Sequence, residues 1–244
     1  MPDAPFARLF EIATRSRSLH AEPEVVIPAS RNAAISPAQL FRLDTSTSPR
    51  PLGADGPEPE SGTGDRRRIL ELGSGWGEFL VAWLAVHPDD DYVAFEIKND
   101  RIRKTLKRVR KLEGVHLRMV PVNFGWFLED ILPPASFDWI IVNFPDPWPK
   151  RRHWKHRLVR PGFPERMASL LRRAGQIHLA TDYGPYARKM IRLFRESQLF
   201  EPVFPAPGYL RTRPPDVPVT RFEQITGDLE GRIPYFSRWR LRPA

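Results

Sequence analysis

The sequence contains no cysteine. That absence excludes a disulfide framework and thiolate metal sites, and it fits a reducing compartment. No apolar run approaches the ~20 residues that a membrane span requires, and the first residues, MPDAPFARLFEI, lack the apolar centre of a secretory signal. A soluble, cytoplasmic protein with no membrane partner is expected. Internal repeats are also missing. What is present is a chain of 244 residues, 41% of them hydrophobic, with 15 Phe and 7 Trp. That is enough apolar surface for a sizeable core, so a wholly disordered chain is excluded. The length allows one large domain, or one domain with appendages.

Acidic residues are in the minority, 29 against 38 Lys and Arg, and the formal net charge is +9. The excess is concentrated. Residues 98–111 (KNDRIRKTLKRVRK) hold eight basic residues and one Asp, and residues 150–160 (KRRHWKHRLVR) hold six basic residues and no acid. These two stretches sum to +13, which leaves the remainder at −4. Two basic patches are the electrostatic footprint of a polyanion ligand. A solvated helix face would look the same in either stretch taken alone.

From Asp44 to Asp65, 14 of 22 residues are Ser, Thr, Gly or Pro, a composition that buries little and predicts a flexible linker. It separates an N-terminal arm, residues 1–43, with no assignable task, from a domain spanning residues 66–244. In that domain strand and helix patterns alternate. Strands are expected at Arg68–Leu72, Tyr92–Ile97, His116–Val120, Asp138–Asn143 and Gln176–Thr181, and helices at Glu78–His87, after Asp100, and at Pro185–Ser197. Asp100 is expected to cap its helix, with Ile102, Leu106, Val109 and Leu112 as the apolar stripe. This alternation predicts an α/β fold, a mostly parallel sheet with helices on both faces. Ligands of such sheets bind at the carboxyl ends of the strands.

The motifs fall at those ends. Glu71-Leu72-Gly73-Ser74-Gly75-Trp76-Gly77 joins the first strand to its helix, and its glycines permit a tight turn and close approach of a ligand to the backbone. A dinucleotide loop would read G-x-G-x-x-G, but Glu78 occupies the last position. This disfavours an NAD-dependent dehydrogenase. Glu96, at the end of the second strand, is placed to accept from both hydroxyls of a ribose, so the pair points to an adenosine-bearing cofactor. The fourth strand runs into Phe144-Pro145-Asp146-Pro147-Trp148-Pro149-Lys150. Three prolines in five residues stiffen the backbone that carries Asp146 and Trp148. A carboxylate, an aromatic ring and a dense basic run suit a nucleobase held beside a phosphate backbone. His153 and His156 lack the Cys or carboxylate partners of a metal site, so no metal is expected and both are assigned to the phosphate-facing surface.

The E-x-G-x-G-x-G form resembles class I S-adenosylmethionine-dependent methyltransferases, and NFPDPWPKRRHWKHRLV resembles the hallmark segment of the bacterial tRNA (guanine-N7-)-methyltransferases. ELGSGWGEFL, AFEIKNDRI, ATDYGPYARKM and PVTRFEQ agree in order and spacing, so the likeness covers roughly residues 66–240. It implies a Rossmann-like seven-stranded fold, S-adenosyl-L-methionine as cofactor, tRNA as partner, and methylation of a variable-loop guanine at N7. It also implies that Glu71, Gly73, Gly75, Glu96 and Asn123 line the cofactor site. Asp146 at the rim of that site is implied as the catalytic carboxylate, and Lys150, Asp182, Thr220, Arg221, Phe222 and Glu223 as contacts to the guanosine. The chain departs from the family where Ile225 and Thr226 follow Gln224 in place of Arg-Gly. A monomer or weak homodimer is the expected state.

Two other readings fit parts of the pattern. NFPD at a fourth strand end is faintly similar to the Asn-Pro-Pro-aromatic loop of enzymes that methylate an exocyclic amine of adenine, although Asp146 stands where the aromatic residue belongs. A non-catalytic RNA-binding protein on the same scaffold is the second, disfavoured because Glu71, Glu96 and Asp146 are all retained.

Overall fold

Apolar residues alternate between two destinations along each strand, and this period of two sets the architecture. The computed structural model describes residues 19, 21–28, 34–42, 66–122, 128 and 130–243. In chain order the elements are α1 (Pro37–Leu40), β1 (Arg68–Leu72), α2 (Glu78–Val86), β2 (Asp91–Phe95), α3 (Asn99–Val109), β3 (His116–Val120) and β4 (Phe137–Asn143). A 3-10 turn (Arg151–His156) follows, then α4 (Phe163–Leu170), β5 (Leu171–Thr181), α5 (Gly184–Glu196), β6 (Phe200–Pro202), α6 (Arg221–Glu230) and β7 (Tyr235–Leu241). The seven strands form one sheet in the order β3-β2-β1-β4-β5-β7-β6. The first five are parallel, and β7 runs antiparallel to both β5 and β6.

On β1, Ile69 faces one side with Phe79, Trp83 and Leu84 of α2 and Ile102, Leu106 and Val109 of α3. Leu70 and Leu72 face the other, with Phe163 and Met167 of α4 and Tyr186, Met190 and Phe194 of α5. The expected α/β sheet covered on both faces is therefore present. Three details differ from expectation. β2 ends at Phe95, one residue short of Glu96, because the Glu96 carboxylate accepts the N–H groups of Ile97 and Lys98 and turns the chain out of the sheet. Helix α3 consequently starts early, with Lys98 at its N-cap, so Asp100 sits in the first turn and favours the positive end of the helix dipole instead of capping it. Strand β5 begins at Leu171 rather than Gln176.

The described parts of the arm belong to the same core. Leu19, Val26, Ile35, Leu40 and Phe41 are buried, and Phe41 meets Phe137 edge to face at 5.5 Å. Val25 forms a parallel bridge to Met119 of β3. Arg42 clasps the amino ends of the strands: its Nε donates to Asp91 Oδ1 at 2.8 Å and its Nη groups to the carbonyls of Gly114 and Asp89. Burial alone would raise the Asp91 carboxyl, but hydrogen bonds from His116 and Arg42 outweigh it and hold the group below its usual range. The linker expected at residues 44–65 lies outside the described residues.

The glycine turn between β1 and α2 is required by packing. Gly77 has φ +76°, and a Cβ there would come within 2.3 Å of the Thr105 hydroxyl on α3. Gly75 is also left-handed, φ +57°, but a Cβ there meets nothing within 4 Å. We expect Gly77→Ala to cost about 2–4 kcal/mol, strain and clash combined, and Gly75→Ala only about 1–2 kcal/mol of strain. Urea denaturation of both variants measures the difference; equal losses would remove the packing role of Gly77.

Candidate active site

β1 and β4 are neighbours, and a cavity of about 920 Å³ opens beyond their carboxyl ends, within the ~300–1,000 Å³ usual for small-molecule sites. One wall is the glycine turn. The N–H groups of Gly73 and Ser74 both donate to the Phe95 carbonyl at 3.0 Å, which seats the turn on the end of β2. Beneath it lies Glu71, 2% exposed, accepting from the Tyr92 hydroxyl at 3.2 Å. Burial pushes its carboxyl up to about 8, with the nearby Glu96 adding to the rise. Glu71 is therefore mainly protonated at neutral pH. Glu96 is also buried; its Oε1 accepts from Ile97 and Lys98 at 2.9 Å and its Oε2 faces Arg101 at 3.4 Å.

A second wall is the proline segment. Phe144 and Trp148, on either side of Pro145-Asp146-Pro147, have φ of +48° and +38°. For non-glycine residues each such conformation costs about 1–3 kcal/mol and persists only where the surroundings hold it. This arch presents Asp146 at the cavity, exposed to solvent. The third wall is the start of α6, where Thr220 caps the helix by accepting the Glu223 N–H at 2.9 Å, and where the Phe222 ring lies 5.1 Å from that of Phe144.

Of the expected site residues, Glu71, Gly73, Gly75, Glu96, Asp146, Thr220, Arg221 and Phe222 line this cavity together. Lys150, Asp182 and Glu223 do not. Lys150 is exposed ahead of the 3-10 turn, Asp182 is paired with Arg232 at 3.0 Å, and Glu223 with Arg213 at 3.3 Å. Asn123 lies outside the described residues. Arg221 turns toward Glu78, 3.6 Å away. His153 is half-buried and His156 exposed, and their rings lie 5.6 and 5.3 Å from that of Trp148 beside Asp146. Two polar atoms outside the expected set of site residues also line the cavity. Ser74 Oγ and Asn143 Nδ2 are buried and have no hydrogen-bond partner among the described residues. Such donors cost free energy unless something completes them. A polar ligand in the cavity would do so.

The basic runs are less available than their charge suggested. In α3 and the turn after it, Arg101 pairs with Glu96, Arg108 with Glu78, and Arg110 with both Glu22 and Glu24. Arg103, Lys104, Lys107 and Lys111 are exposed, as are Lys150, Arg151, Arg152 and Lys155. Among the described residues no group of three or more His, Asp or Glu is placed to hold a metal, and no helix is long and apolar enough to cross a membrane.

A buried carboxyl with a raised pKa makes a signed prediction. The folded state retains a proton up to about pH 8 that the unfolded chain releases near 4.5. The stability due to that proton is complete below about pH 4.5 and is lost as the pH rises to 8. We expect Glu71→Gln to unfold at a higher temperature than the parent, with the gap widening from pH 5 to pH 8.5 in calorimetry. A constant gap would contradict the buried, protonated state.

The family model described as "Putative methyltransferase" matches residues 65–233. A tRNA (guanine-N(7)-)-methyltransferase of Leptospira interrogans is 43% identical over 170 residues, 70% of this chain and 77% of that protein. A protein of the same name from Nitrosomonas europaea is 36% identical over 156 residues, 64% of this chain and 68% of its own. Among solved structures, an rRNA methylase from Streptococcus thermophilus aligns with a TM-score of 0.48 at 12% identity, over 73% of this chain and 89% of that one. With the family-model match spanning the glycine turn, the proline arch and α6, and with relatives of this one name at 43% and 36% identity, the chain belongs to the tRNA (guanine-N7-)-methyltransferase family.

Proposed function

We propose that the cavity holds S-adenosyl-L-methionine against a guanine of tRNA, so that the guanine is methylated at N7. The observation that carries this reading is the meeting of two walls. A glycine turn over a buried carboxyl and a strained arch that presents a second carboxylate line one cavity, and the orphaned Ser74 and Asn143 groups line it with them. When bound, the cofactor supplies an activated methyl group on a cationic sulfur.

The chain's residues divide the remaining work. The left-handed glycines let the ligand approach the backbone closely, and Gly75 leaves open the space that a side chain would fill. Glu71, mainly protonated without a ligand, can ionise when a cation arrives above it. Glu96 keeps lone pairs for ribose hydroxyls beyond those already used by two N–H groups. Asn123 is assigned to the adenine ring on the family likeness. Ser74 and Asn143 gain the partners they lack.

Guanine N7 carries a lone pair at neutral pH, so no side chain has to remove a proton from it. The work is to orient the base and exclude water, which is worth up to ~7–11 kcal/mol in favourable cases. In this reading Asp146 accepts from the guanine N1–H and exocyclic amine and offsets the charge that the ring acquires. Thr220, Arg221 and Phe222 shape the base side of the cavity. Lys150, Asp182 and Glu223 are assigned to the guanosine on the family likeness, the two acids after release from their arginines. The exposed cations of α3 and of residues 150–155 face phosphates, and the protein works in the cytoplasm with its tRNA.

The test is methyl transfer from labelled S-adenosylmethionine to unmodified tRNA, followed by digestion and nucleoside mass spectrometry. The expected product is 7-methylguanosine. Asp146→Asn is expected to lower kcat by about 10²–10³ with cofactor Kd within about twofold. A methylated adenosine, or cofactor binding without transfer by the parent protein, would overturn the reading. Affinity for tRNA is expected to fall steeply between 50 and 200 mM salt, by orders of magnitude if several phosphates are neutralised; a flat response would remove the phosphate role.

A further inference from the structure

The basic run at 150–160 hides one residue that does not behave as a surface cation. Arg157 is 6% exposed. Its Nε donates to the Pro147 carbonyl at 2.7 Å and its Nη2 to the Trp148 carbonyl at 3.2 Å. The guanidinium lies over the rings of both Trp154 and Tyr186, at 4.7 and 4.8 Å. Trp154 in turn donates its indole N–H to the Pro149 carbonyl at 3.3 Å. Tyr186, on α5 and fully buried, accepts the Val159 N–H at 2.9 Å. The three consecutive carbonyls that follow Asp146, those of residues 147, 148 and 149, are thus all held from this one cluster.

The sequence explains why they must be held from outside. Pro145, Pro147 and Pro149 have no N–H, so the arch has few donors of its own with which to fix its shape. Trp148 nonetheless adopts a left-handed backbone conformation, which relaxes unless its neighbours over-determine it. A rigid fork with divergent donors, stacked on aromatic faces, meets that need in a way that a lysine cannot.

We propose that Arg157 is the positioning residue for Asp146: its fork fixes the proline arch in the conformation that aims the Asp146 carboxylate at the substrate guanine. The proposal rests on the reading of Asp146 given above. It removes Arg157 from the phosphate-contacting set and gives it a role in turnover.

The experiment compares Arg157→Lys and Arg157→Met with the parent in steady-state methylation of tRNA, direct cofactor and tRNA binding, and circular dichroism. We expect kcat to fall about tenfold for Lys and about a hundredfold for Met, the scale of an ångström-sized misplacement. Cofactor Kd and tRNA Kd are expected to stay within about twofold. Added methylguanidinium is expected to restore part of the kcat lost in Arg157→Ala. A weakened tRNA Kd, with a shallower salt slope and an unchanged kcat, would make Arg157 a phosphate contact and overturn the proposal. So would parent-like turnover in Arg157→Lys, or loss of fold in all three variants. A parent protein that forms no 7-methylguanosine overturns the functional reading; parent activity with an indifferent Arg157→Lys overturns this proposal alone.

Discussion

β1 and β4 lie side by side in parallel register, Ile69 opposite Trp139 and Glu71 opposite Ile141, yet they are separated in sequence by two strand-and-helix units that all pack on one flank of β1. This reversal of strand order leaves a crevice at their carboxyl ends that no crossover covers. The other features of the site are ways of furnishing that crevice. The glycine turn fills one side and ends in a helix that must approach α3 closely, and the proline arch fills the other and ends in a 3-10 turn. Antiparallel β7 lies between β5 and the edge strand β6, and the chain between β6 and β7 brings the start of α6 to the mouth. Arg238 on β7 secures that return: it pairs with Asp216 at 2.8 Å and lies over the Trp139 ring.

Charge is distributed by the same geometry. Three carboxyl groups, Glu71, Glu78 and Glu96, line the cavity near the glycine turn, and two of them have an arginine partner from α3. Glu71 has none, only a tyrosine hydroxyl, and responds by keeping its proton. Its burial is a cost to the empty protein, as is the strain at Phe144 and Trp148. Both costs are concentrated within the cavity walls, where pre-set polarity and shape matter to a ligand.

Much of this was legible in the sequence because period and punctuation agree in the first five strands. The glycine turn, the proline arch and Glu96 are local signals at strand ends, and they meet in one cavity. The failures come from interactions that a local pattern of residue types does not show. β6 is only three residues long and β7 runs antiparallel to its neighbours, so no βαβ rhythm announces them. Arg101, Arg108, Arg110 and Arg157 read as cations available to a polyanion because a basic run does not show their partners: Glu96, Glu78, the arm's Glu22 and Glu24, and the arch carbonyls. Asp100 failed as a cap because Glu96, four residues earlier, had already turned the chain. Asn143 looked like a strand terminus, and only its burial without a partner marks it as facing a ligand.

The arm has a consequence of a different kind. A sheet of this topology ends in β3, whose outer edge would offer a row of unpaired backbone groups to any extended chain that met it. Here the Met119 N–H donates to the Glu24 carbonyl and the Met119 carbonyl accepts from Val26, at 2.8 and 2.9 Å, while Glu22 and Glu24 grip Arg110 beside them. At Met119 the protein's own arm thus takes up edge hydrogen-bonding groups that a second extended chain could otherwise use.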